Sequence, residues 1–385
     1  MRTLDKIFQN VHFIVLFLQE NDRDIQQIIV KSPRITYKNI KNKNWKLLLR
    51  LQRWSLRFNL IFLALFYPAI RQYACLIMKS DLVICAPGGI CMGGFQDWGH
   101  IFNLSLTKFL KKKLIYYSRS FGPFPEITAW NRAFKKVSFR LLYSFDFLSI
   151  RDQKTMRLAD DLNLQYVSSI DTAFLDVPKA DIPIEISQLI GVEKYVVFVP
   201  NSLTWHHSYK FIERYHIDEF YGDIFNILLH LGLKIIMLPQ LYNDRNKNDY
   251  EYFVELKDNV DEKRNIVIVK DTYSSDIQQK IIANAECVIG ARYHSIVFAI
   301  NNAVPFISLS YEHKMTGLLN LLNLNDREIN IEQIGTKDFD KEKILSSFTT
   351  ILSRDYSRAE EVKNQARKIA TETFEKFVEF CNNEK

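Results

Sequence analysis

The sequence predicts an α/β protein made of two Rossmann-like domains, with a cleft between them and a C-terminal helical tail. Short apolar runs alternate with helical patterns along most of the 385 residues, as is typical of parallel sheets covered by helices on both faces. The stretch at 176–186, DVPKADIPIEI, carries two prolines and no strong period, which is typical of a linker. We therefore expect domains at 1–180 and 190–335, followed by helices at 340–385.

The C-terminal domain shows the alternation most clearly. Its predicted strands are YVVFVP (195–200), LKIIMLP (233–239), NIVIVKD (265–271), CVIGARY (287–293) and VPFISLSY (304–311). Helical patterns lie between and after them, near 217–231, 246–258, 274–285, 294–302 and 313–323. The N-terminal domain is less regular, with predicted strands VHFIVLFL (11–18), RITY (34–37), DLVICAPGG (81–89), KLIYYSRSFGP (113–123), FLSIRD (147–152) and YVSSID (166–171). Residues 341–383 are rich in Lys and Glu and show only helical spacing.

Composition favours a folded cytoplasmic protein. Apolar residues make up 47% of the chain, enough for a full hydrophobic core. The five cysteines show no CxxC pair and residues 1–10 lack signal-peptide features, so we expect reduced thiols. The net charge of +7 is interpreted as diffuse, and its densest run, Lys111–Lys113, lacks interleaved aromatic residues. Nucleic acid is therefore not an expected partner, whereas an anionic substrate or membrane surface is compatible with this charge.

Residues 45–70 form a separate feature. Tryptophans and basic residues mix with leucines at helical spacing over 45–57, and FNLIFLALFYPAI at 58–70 is an uncharged apolar run. Thirteen residues are too few to span a bilayer, but a basic amphipathic helix containing tryptophan can lie on a membrane surface. A buried helix with a basic outer face is the alternative. On the first interpretation the protein works at the inner face of the membrane.

Three strand ends of the N-terminal domain carry candidate ligand contacts, since ligands of parallel sheets bind beyond the carboxyl ends of the strands. Gly88–Gly89 ends the first of these strands, and glycines let backbone amides approach a ligand closely, although a plain tight turn is equally compatible. Arg119 and Arg151 end the next two, where a guanidinium matches phosphate or carboxylate. Arg151 could instead form an ion pair with Asp152 or Asp171.

The strand end after YVVFVP carries Asn201–Ser202, followed by Trp205-His206-His207. Adjacent histidines point in different directions on a regular element and no third ligand follows at useful spacing, so a substrate loop is expected here and a metal is not. The chain also lacks GxGxxG, a P-loop lysine and a nucleophile elbow, so dinucleotide, Walker-type and acyl-hydrolase sites are not expected.

The stretch GARYHSIVFAINNAVPFISLSYEHK at 290–314 carries the strongest candidates. Arg292 and His294 lie at the turn from CVIG into a helix, whose free amides and dipole favour anions. Tyr311 and Lys314 follow the next strand, at the same edge of the predicted sheet. We expect these residues to converge on one site, because charged groups in an apolar run must be paired or face a ligand. An Arg292–Glu312 ion pair without further function is the alternative.

These residues resemble a known family. Gly290-Ala-Arg292-Tyr-His294, continuing through Ala299, Val304–Pro305 and Tyr311-Glu-His-Lys314, resembles the C-terminal signature of the polysaccharide pyruvyl transferases. The stretches DLVICAPGG, LIYYSRSFGPF, FLSIRDQKTMRLADDL and SSIDTAFL resemble further segments of that family in the same order, so the resemblance covers residues 81–323. Members of the family usually open with a strand and a Gly-Asn-x-Gly-Asp-like loop, which the start MRTLDKIFQN does not show.

The resemblance implies a GT-B-like fold and transfer of a pyruvyl group from phosphoenolpyruvate onto two hydroxyls of a sugar, forming a ketal. The acceptor implied is a precursor of a cell-surface polysaccharide, linked to a lipid. Phosphoenolpyruvate is the donor substrate, and neither a cofactor nor a metal is implied. The alternatives are a nucleotide-sugar glycosyltransferase of the same architecture and a non-catalytic member of a polysaccharide pathway.

The chemistry of phosphoenolpyruvate, a small and highly charged anion, fits the residues at the strand ends. Arg292 and Arg151 are expected to contact its phosphate and carboxylate with help from Lys314. His294 is expected to act as general acid, as general base or on the leaving phosphate. The catalytic candidates are therefore His294 and Arg292, and the substrate-binding candidates are Gly88, Gly89, Arg119, Arg151, Asn201, Ser202, Tyr311 and Lys314.

Overall fold

The computed structural model describes residues 1–17, 30–40, 42, 44–89, 91–204, 206, 209, 211–241, 248–260, 262–270 and 273–383. The chain forms two compact units. Unit 1 comprises Met1–Thr172 and Ile369–Lys385, and unit 2 comprises Ala173–Lys368. The proposed linker at 176–186 thus belongs to unit 2, which begins three residues before it.

Unit 1 contains two parallel sheets among its described residues. Strands β1 (Phe13–Phe17) and β2 (Ile35–Asn39) pair with each other alone. The larger sheet has the order β3-β4-β5-β6, from Leu82–Cys85, Lys113–Arg119, Phe147–Ile150 and Val167–Ser168. The helices described within Met1–Thr172 are α1 (Arg2–Ile7), α2 (Trp45–Arg57), α3 (Ile61–Ala64), α4 (Pro68–Met78), α5 (Trp98–Phe109), α6 (Ala129–Leu142) and α7 (Gln153–Asp161).

The core of unit 1 explains why the sequence of strand β4 is mostly apolar. Leu114 and Tyr116 of β4 are fully buried, and Phe102 of α5 and Phe134 of α6 are fully buried in the same cluster. The pairing of β4 with β5 shifts register between Tyr116 and Arg119, so the strand is irregular just before its carboxyl end. The six predicted strands of the N-terminal half are all present; five are shorter than predicted, and β2 extends two residues beyond its predicted end to Asn39.

The described residues of unit 2 form one six-stranded parallel sheet of order β12-β11-β10-β7-β8-β9. Its strands are β7 (Tyr195–Val199), β8 (Lys234–Met237), β9 (Ile266–Ile268), β10 (Cys287–Gly290), β11 (Phe306–Ser310) and β12 (Glu328–Asn330). If β7 is numbered as strand 1 and the sheet is followed from β9 to β12, the strand order is 3-2-1-4-5-6. This is the doubly wound arrangement of a Rossmann fold. The order reverses between β7 and β10, and such a switch point is where ligands of these sheets bind.

Helices α8 to α13 of unit 2 are Ile184–Ile190, Arg214–His230, Asp249–Asp258, Ser275–Ala283, Tyr293–Asn301 and His313–Leu321. The last five occupy the predicted helical positions. Strand β12 is absent from the prediction because it is only three residues long and polar at both ends. It forms by pairing with β11, where Ser308, Leu309 and Ser310 face Glu328, Ile329 and Asn330 in register.

The C-terminal region is helical as predicted, with α14 (Lys341–Leu352) and α15 (Ala359–Asn383). From Ile369 onward α15 belongs to unit 1. Its Ala370, Phe374, Phe377 and Cys381 are buried and recur at helical spacing. The Phe377 ring lies 5.3 Å from that of Tyr117, so this part of the tail completes the core of unit 1.

Candidate functional site

The candidate residues fall into two sets, one following the strands of each sheet. Asn201–Ser202 follows β7, Arg292 and His294 follow β10, and Tyr311 and Lys314 follow β11. Because β7, β10 and β11 are consecutive neighbours in the sheet of unit 2, this set lies along one edge, centred on the switch point. Gly88–Gly89, Arg119 and Arg151 form the second set, on β3, β4 and β5 of unit 1.

Arg292 is the N-cap residue of α12, and its side chain does not cap the helix. Gly290 permits the tight turn that places it there, because a Cβ on Gly290 would lie 2.0 Å from the Ser295 hydroxyl oxygen. That hydroxyl donates a hydrogen bond to the Arg292 carbonyl at 2.6 Å. The first amides of α12 therefore have no capping side chain from the N-cap residue, a feature that favours anion binding.

Asp249 is a member of this site that the sequence analysis missed. Its Oδ1 accepts a hydrogen bond from Nη2 of Arg292. Its Oδ2 accepts from the backbone amides of Gln240 and Leu241 at 3.0 and 2.8 Å. The carboxylate is almost fully buried and thus joins the strand end of β8 to that of β10. The alternative of an Arg292–Glu312 pair is wrong, since the guanidinium pairs with Asp249.

Glu312 instead pairs with Lys314, whose Nζ lies 2.9 Å from its carboxylate. The same carboxylate lies 3.6 Å from Nε2 of His206. Tyr311 is buried beside them, and burial, followed by the charge of Glu312, raises the pKa of its phenol. Glu312 is the N-cap residue of α13, and its side chain does not cap that helix, as Arg292 does not cap α12.

The remaining candidates of unit 2 differ in exposure. Asn201 is fully buried, and its carbonyl accepts a hydrogen bond from the Tyr221 hydroxyl at 3.2 Å. The hydroxyl oxygens of Ser202 and Thr204 lie 3.3 Å apart. Leu203 adopts a left-handed φ of 58°, which is unusual for a branched side chain and common in ligand-binding loops. Trp205 and His207, predicted to lie in this loop, are outside the described residues.

His294 lies in the first turn of α12 and is exposed. Its ring packs 5.9 Å from that of Phe298, one turn along the helix. An exposed imidazole at the start of a helix beside Arg292 is accessible to a bound substrate. This position is compatible with proton transfer at the edge of the sheet.

In unit 1, Arg119 holds the glycine loop that follows β3. Its guanidinium donates to the carbonyls of Ala86 and Gly89, the latter at 3.2 Å. Gly88 forms an isolated bridge to Arg119. The loop that contains the two glycines is therefore held against the end of β4.

Arg151 forms a buried ion pair with Asp171 rather than with Asp152. Asp152 caps α7 by accepting from the Thr155 amide at 2.8 Å. Arg151 therefore lies at the end of β5 as predicted, with one anionic partner from its own unit. Among the described residues, no group of three or more His, Cys, Asp or Glu side chains is arranged to hold a metal ion.

Replacing Gly88 by alanine tests the role of Arg119 in holding this loop. A Cβ at Gly88 would lie 2.9 Å from Nη1 of Arg119, so the guanidinium must move from its carbonyl partners. We expect the free energy of unfolding, measured by denaturant titration, to fall by about 1–2 kcal/mol. Gly89→Ala is the matched control, because its Cβ would meet no atom within 4 Å, and it should change stability by less than about 0.5 kcal/mol. Equal effects of the two substitutions would contradict this account of the loop.

Solved structures establish the fold class. The chain matches a putative UDP-N-acetylglucosamine 2-epimerase from Listeria monocytogenes with a TM-score of 0.56 and 9% identity, covering 96% of this chain and 85% of that one. It matches a trehalose-6-phosphate structure from E. coli, bound with UDP-2-fluoro glucose, with a TM-score of 0.57, 12% identity and coverages of 95% and 92%. The fold is therefore GT-B-like, with two Rossmann-like domains, as predicted.

The chain belongs to the polysaccharide pyruvyl transferase family, whose model matches residues 2–313. The matched region ends one residue before Lys314 and includes every other candidate residue. The amylovoran biosynthesis protein AmsJ of Erwinia amylovora is 21% identical over 279 residues, which cover 69% of this chain and 65% of AmsJ. The chain thus spans just under two thirds of that relative. The family predicted from the motif at 290–314 is confirmed.

Proposed function

We propose that this protein transfers a pyruvyl group from phosphoenolpyruvate to a sugar of a cell-surface polysaccharide precursor, forming a ketal. One observation carries the proposal beyond the family. Two neighbouring strand ends, those of β10 and β11, each present a cation beside a helix start that its N-cap side chain leaves uncapped. Arg292 and Lys314 provide the two cations. Helix amides together with cations suit a small ligand that carries both a phosphate and a carboxylate.

The reaction balances with the donor and a sugar diol alone. One hydroxyl oxygen bonds to C2 of phosphoenolpyruvate while C3 receives a proton and becomes a methyl group. The second hydroxyl oxygen then bonds to C2, and the C2–O bond to phosphate breaks. The products are the cyclic ketal and inorganic phosphate, and the hydroxyl protons end on the methyl group and the phosphate. No electrons are gained or lost overall, so we propose no cofactor.

Each candidate residue has a place in this scheme. Arg292 and Lys314 would bind the phosphate and carboxylate, which requires that their carboxylate partners Asp249 and Glu312 share them with the ligand. His294 would transfer the proton to C3 or from a sugar hydroxyl. Asn201, Ser202 and Tyr311 would complete the substrate contacts at this edge of the sheet in unit 2. In unit 1, considered by itself, Gly88, Gly89, Arg119 and Arg151 are proposed as ligand contacts at the strand ends. We also propose a cytoplasmic location, because the thiols show no pairing pattern.

Calorimetry of the full chain with phosphoenolpyruvate and, separately, with UDP-glucose tests the proposal. We expect phosphoenolpyruvate to bind and UDP-glucose to show at least roughly tenfold weaker affinity, because no Gly-rich nucleotide motif accompanies the cations. In cells, deletion should remove the ketal methyl signal from the NMR spectrum of the surface polysaccharide, and the wild-type gene should restore it.

Two other outcomes of these experiments would contradict pyruvyl transfer. Binding of UDP-glucose without phosphoenolpyruvate would assign the site to a nucleotide-sugar glycosyltransferase. A well-folded protein that binds neither ligand, and whose deletion leaves the ketal content unchanged, would overturn pyruvyl transfer and favour a non-catalytic member of the pathway.

A further inference from the structure

Exposed apolar side chains are concentrated in one short segment of unit 1. Of the 22 large apolar side chains that are exposed among the described residues, eight lie between positions 45 and 66. They are Trp45, Leu47, Trp54, Phe58, Leu60, Phe62, Leu63 and Phe66. Phe66 is 80% exposed. Such concentration marks an interaction surface, since single exposed apolar residues are normally scattered.

The outer face of α2 combines this apolar surface with positive charge. Leu47, Trp54 and Phe58 recur at i, i+7 and i+11 and therefore form one line along the helix and its C-cap residue. Lys46, Arg50 and Arg57 recur at i, i+4 and i+11 and therefore form a neighbouring line along the helix. All six side chains are exposed. Gln52, Ser55 and Leu56 are buried on the opposite side.

Contacts within unit 1 hold part of this surface in place. The rings of Trp54 and Phe58 stack with centroids 5.1 Å apart. The Arg57 guanidinium lies 4.4 Å from the Trp130 ring of α6, and that of Arg53 lies 3.7 Å from it. The aromatic and basic groups are therefore presented on a packed support, not on a loose segment.

The charge of the chain is concentrated in the same region. Residues 25–80 contain eleven Lys and Arg and no Asp or Glu, a net charge of +11. The rest of the chain has the remaining 40 Lys and Arg against 44 Asp and Glu, a net charge of −4. The interpretation of the basic charge as diffuse is therefore wrong. An all-cationic segment beside exposed aromatic residues fits an anionic partner with an apolar layer beneath its charges.

We propose that the exposed face of residues 45–66, here called the basic apolar face, binds the surface of an anionic lipid bilayer. A bilayer of this kind offers negative head groups to the lysines and arginines and an acyl boundary to the tryptophans, phenylalanines and leucines. Among the described residues, no helix has the length and hydrophobicity needed to cross a bilayer. The contact is thus peripheral, and it stands whether or not the pyruvyl transfer proposed above is correct.

Flotation of the full chain with vesicles tests this proposal. We expect binding to vesicles of phosphatidylcholine and phosphatidylglycerol, and at least roughly tenfold weaker binding to phosphatidylcholine alone. Raising the salt from about 0.1 M to about 1 M should weaken binding severalfold, because the Debye length falls from about 10 to about 3 Å. The double substitution K46Q/R50Q should lower the vesicle partition coefficient roughly tenfold or more, and F62S/F66S should have a similar effect.

Matched controls use exposed residues outside this face. K154Q/R157Q removes two exposed cations from α7 of the same unit, and Phe211→Ser removes a 96% exposed phenylalanine from unit 2. Both should bind vesicles as the wild type does. Circular dichroism melts should show that all variants fold, since each replaces exposed side chains only.

Three results would overturn the proposal. The first is absence of vesicle binding by folded wild type at low salt. The second is equal binding to neutral and anionic vesicles, or an equal loss in the control variants. The third is a concentration-dependent dimer that F62S/F66S abolishes without any vesicle binding, which would assign the face to a second copy of the chain.

Discussion

Replacing Arg292 by alanine is expected to weaken phosphoenolpyruvate binding at least roughly 100-fold, the largest effect that we predict for a single substitution on the proposed function. The guanidinium is mostly buried, and its Nη2 donates to Asp249. Its loss would remove the cation at the start of α12 and leave the Asp249 carboxylate to repel the anion. Arg292→Lys should restore only part of the affinity, because a point charge cannot form the paired hydrogen bonds of a guanidinium.

Two further variants separate loss of ligand binding from loss of structure. Asp249→Asn removes the negative charge but keeps a carbonyl oxygen for the Gln240 and Leu241 amides, so binding should stay within about tenfold of wild type. Lys234→Ala removes a cation that is paired with Glu193 at the opposite, amino end of β8, and it should bind phosphoenolpyruvate normally. If folded Arg292→Ala bound the ligand as wild type does, Arg292 would serve only as the structural partner of Asp249.

Short sequence patterns predict most of the strand ends, because a parallel strand that is buried on both faces consists of consecutive apolar residues. The positions of Arg292, Tyr311 and Lys314, within four residues of the ends of β10 and β11, are predicted in this way. Asp249 was not, since its partner lies 43 residues away and no short pattern marks a carboxylate that joins two loops. Its only local signal is its place at the start of a helix, where an aspartate is common for other reasons.

The buried stripe of α15 shows the same limit for the fold. Lys and Glu are frequent in this helix, so its composition alone predicts a charged tail. The apolar residues Ala370, Phe374, Phe377 and Cys381 are spaced for one helical face, but spacing does not say which sheet that face covers. Phe377 contacts Tyr117, and more than 250 residues separate the two in the sequence. Only the tertiary structure brings them together.

The second large effect concerns acid stability and His100 of α5. Its Nε2 lies 3.7 Å from the Cys85 thiol at the end of β3. Burial, followed by the positive charge of Arg119, lowers the pKa of His100 from 6.5 to about 3. The folded protein therefore keeps this imidazole neutral at pH values where the unfolded chain already binds a proton to it.

The direction of this pH dependence follows from the number of protons that the folded and unfolded states bind. Between the folded pKa of about 3 and the unfolded value of 6.5, the unfolded state binds more protons, so stability falls as the pH falls. Protonation of His100 in the unfolded state should lower the free energy of unfolding by about 1.4 kcal/mol for each pH unit below 6.5. Because of His100 alone, the free energy of unfolding should therefore be about 3 kcal/mol lower at pH 4 than at pH 7. Above pH 7 it should contribute no pH dependence.

His100→Gln isolates this contribution, because glutamine is polar but does not titrate. Denaturant unfolding at several pH values should show wild type and variant with parallel stability above pH 7, and a shallower loss for the variant below it. Parallel curves for wild type and His100→Gln down to pH 4 would mean that the folded state accommodates the protonated imidazole. In that case water must reach His100 in the folded state, because burial and the positive charge of Arg119 otherwise disfavour the protonated imidazole.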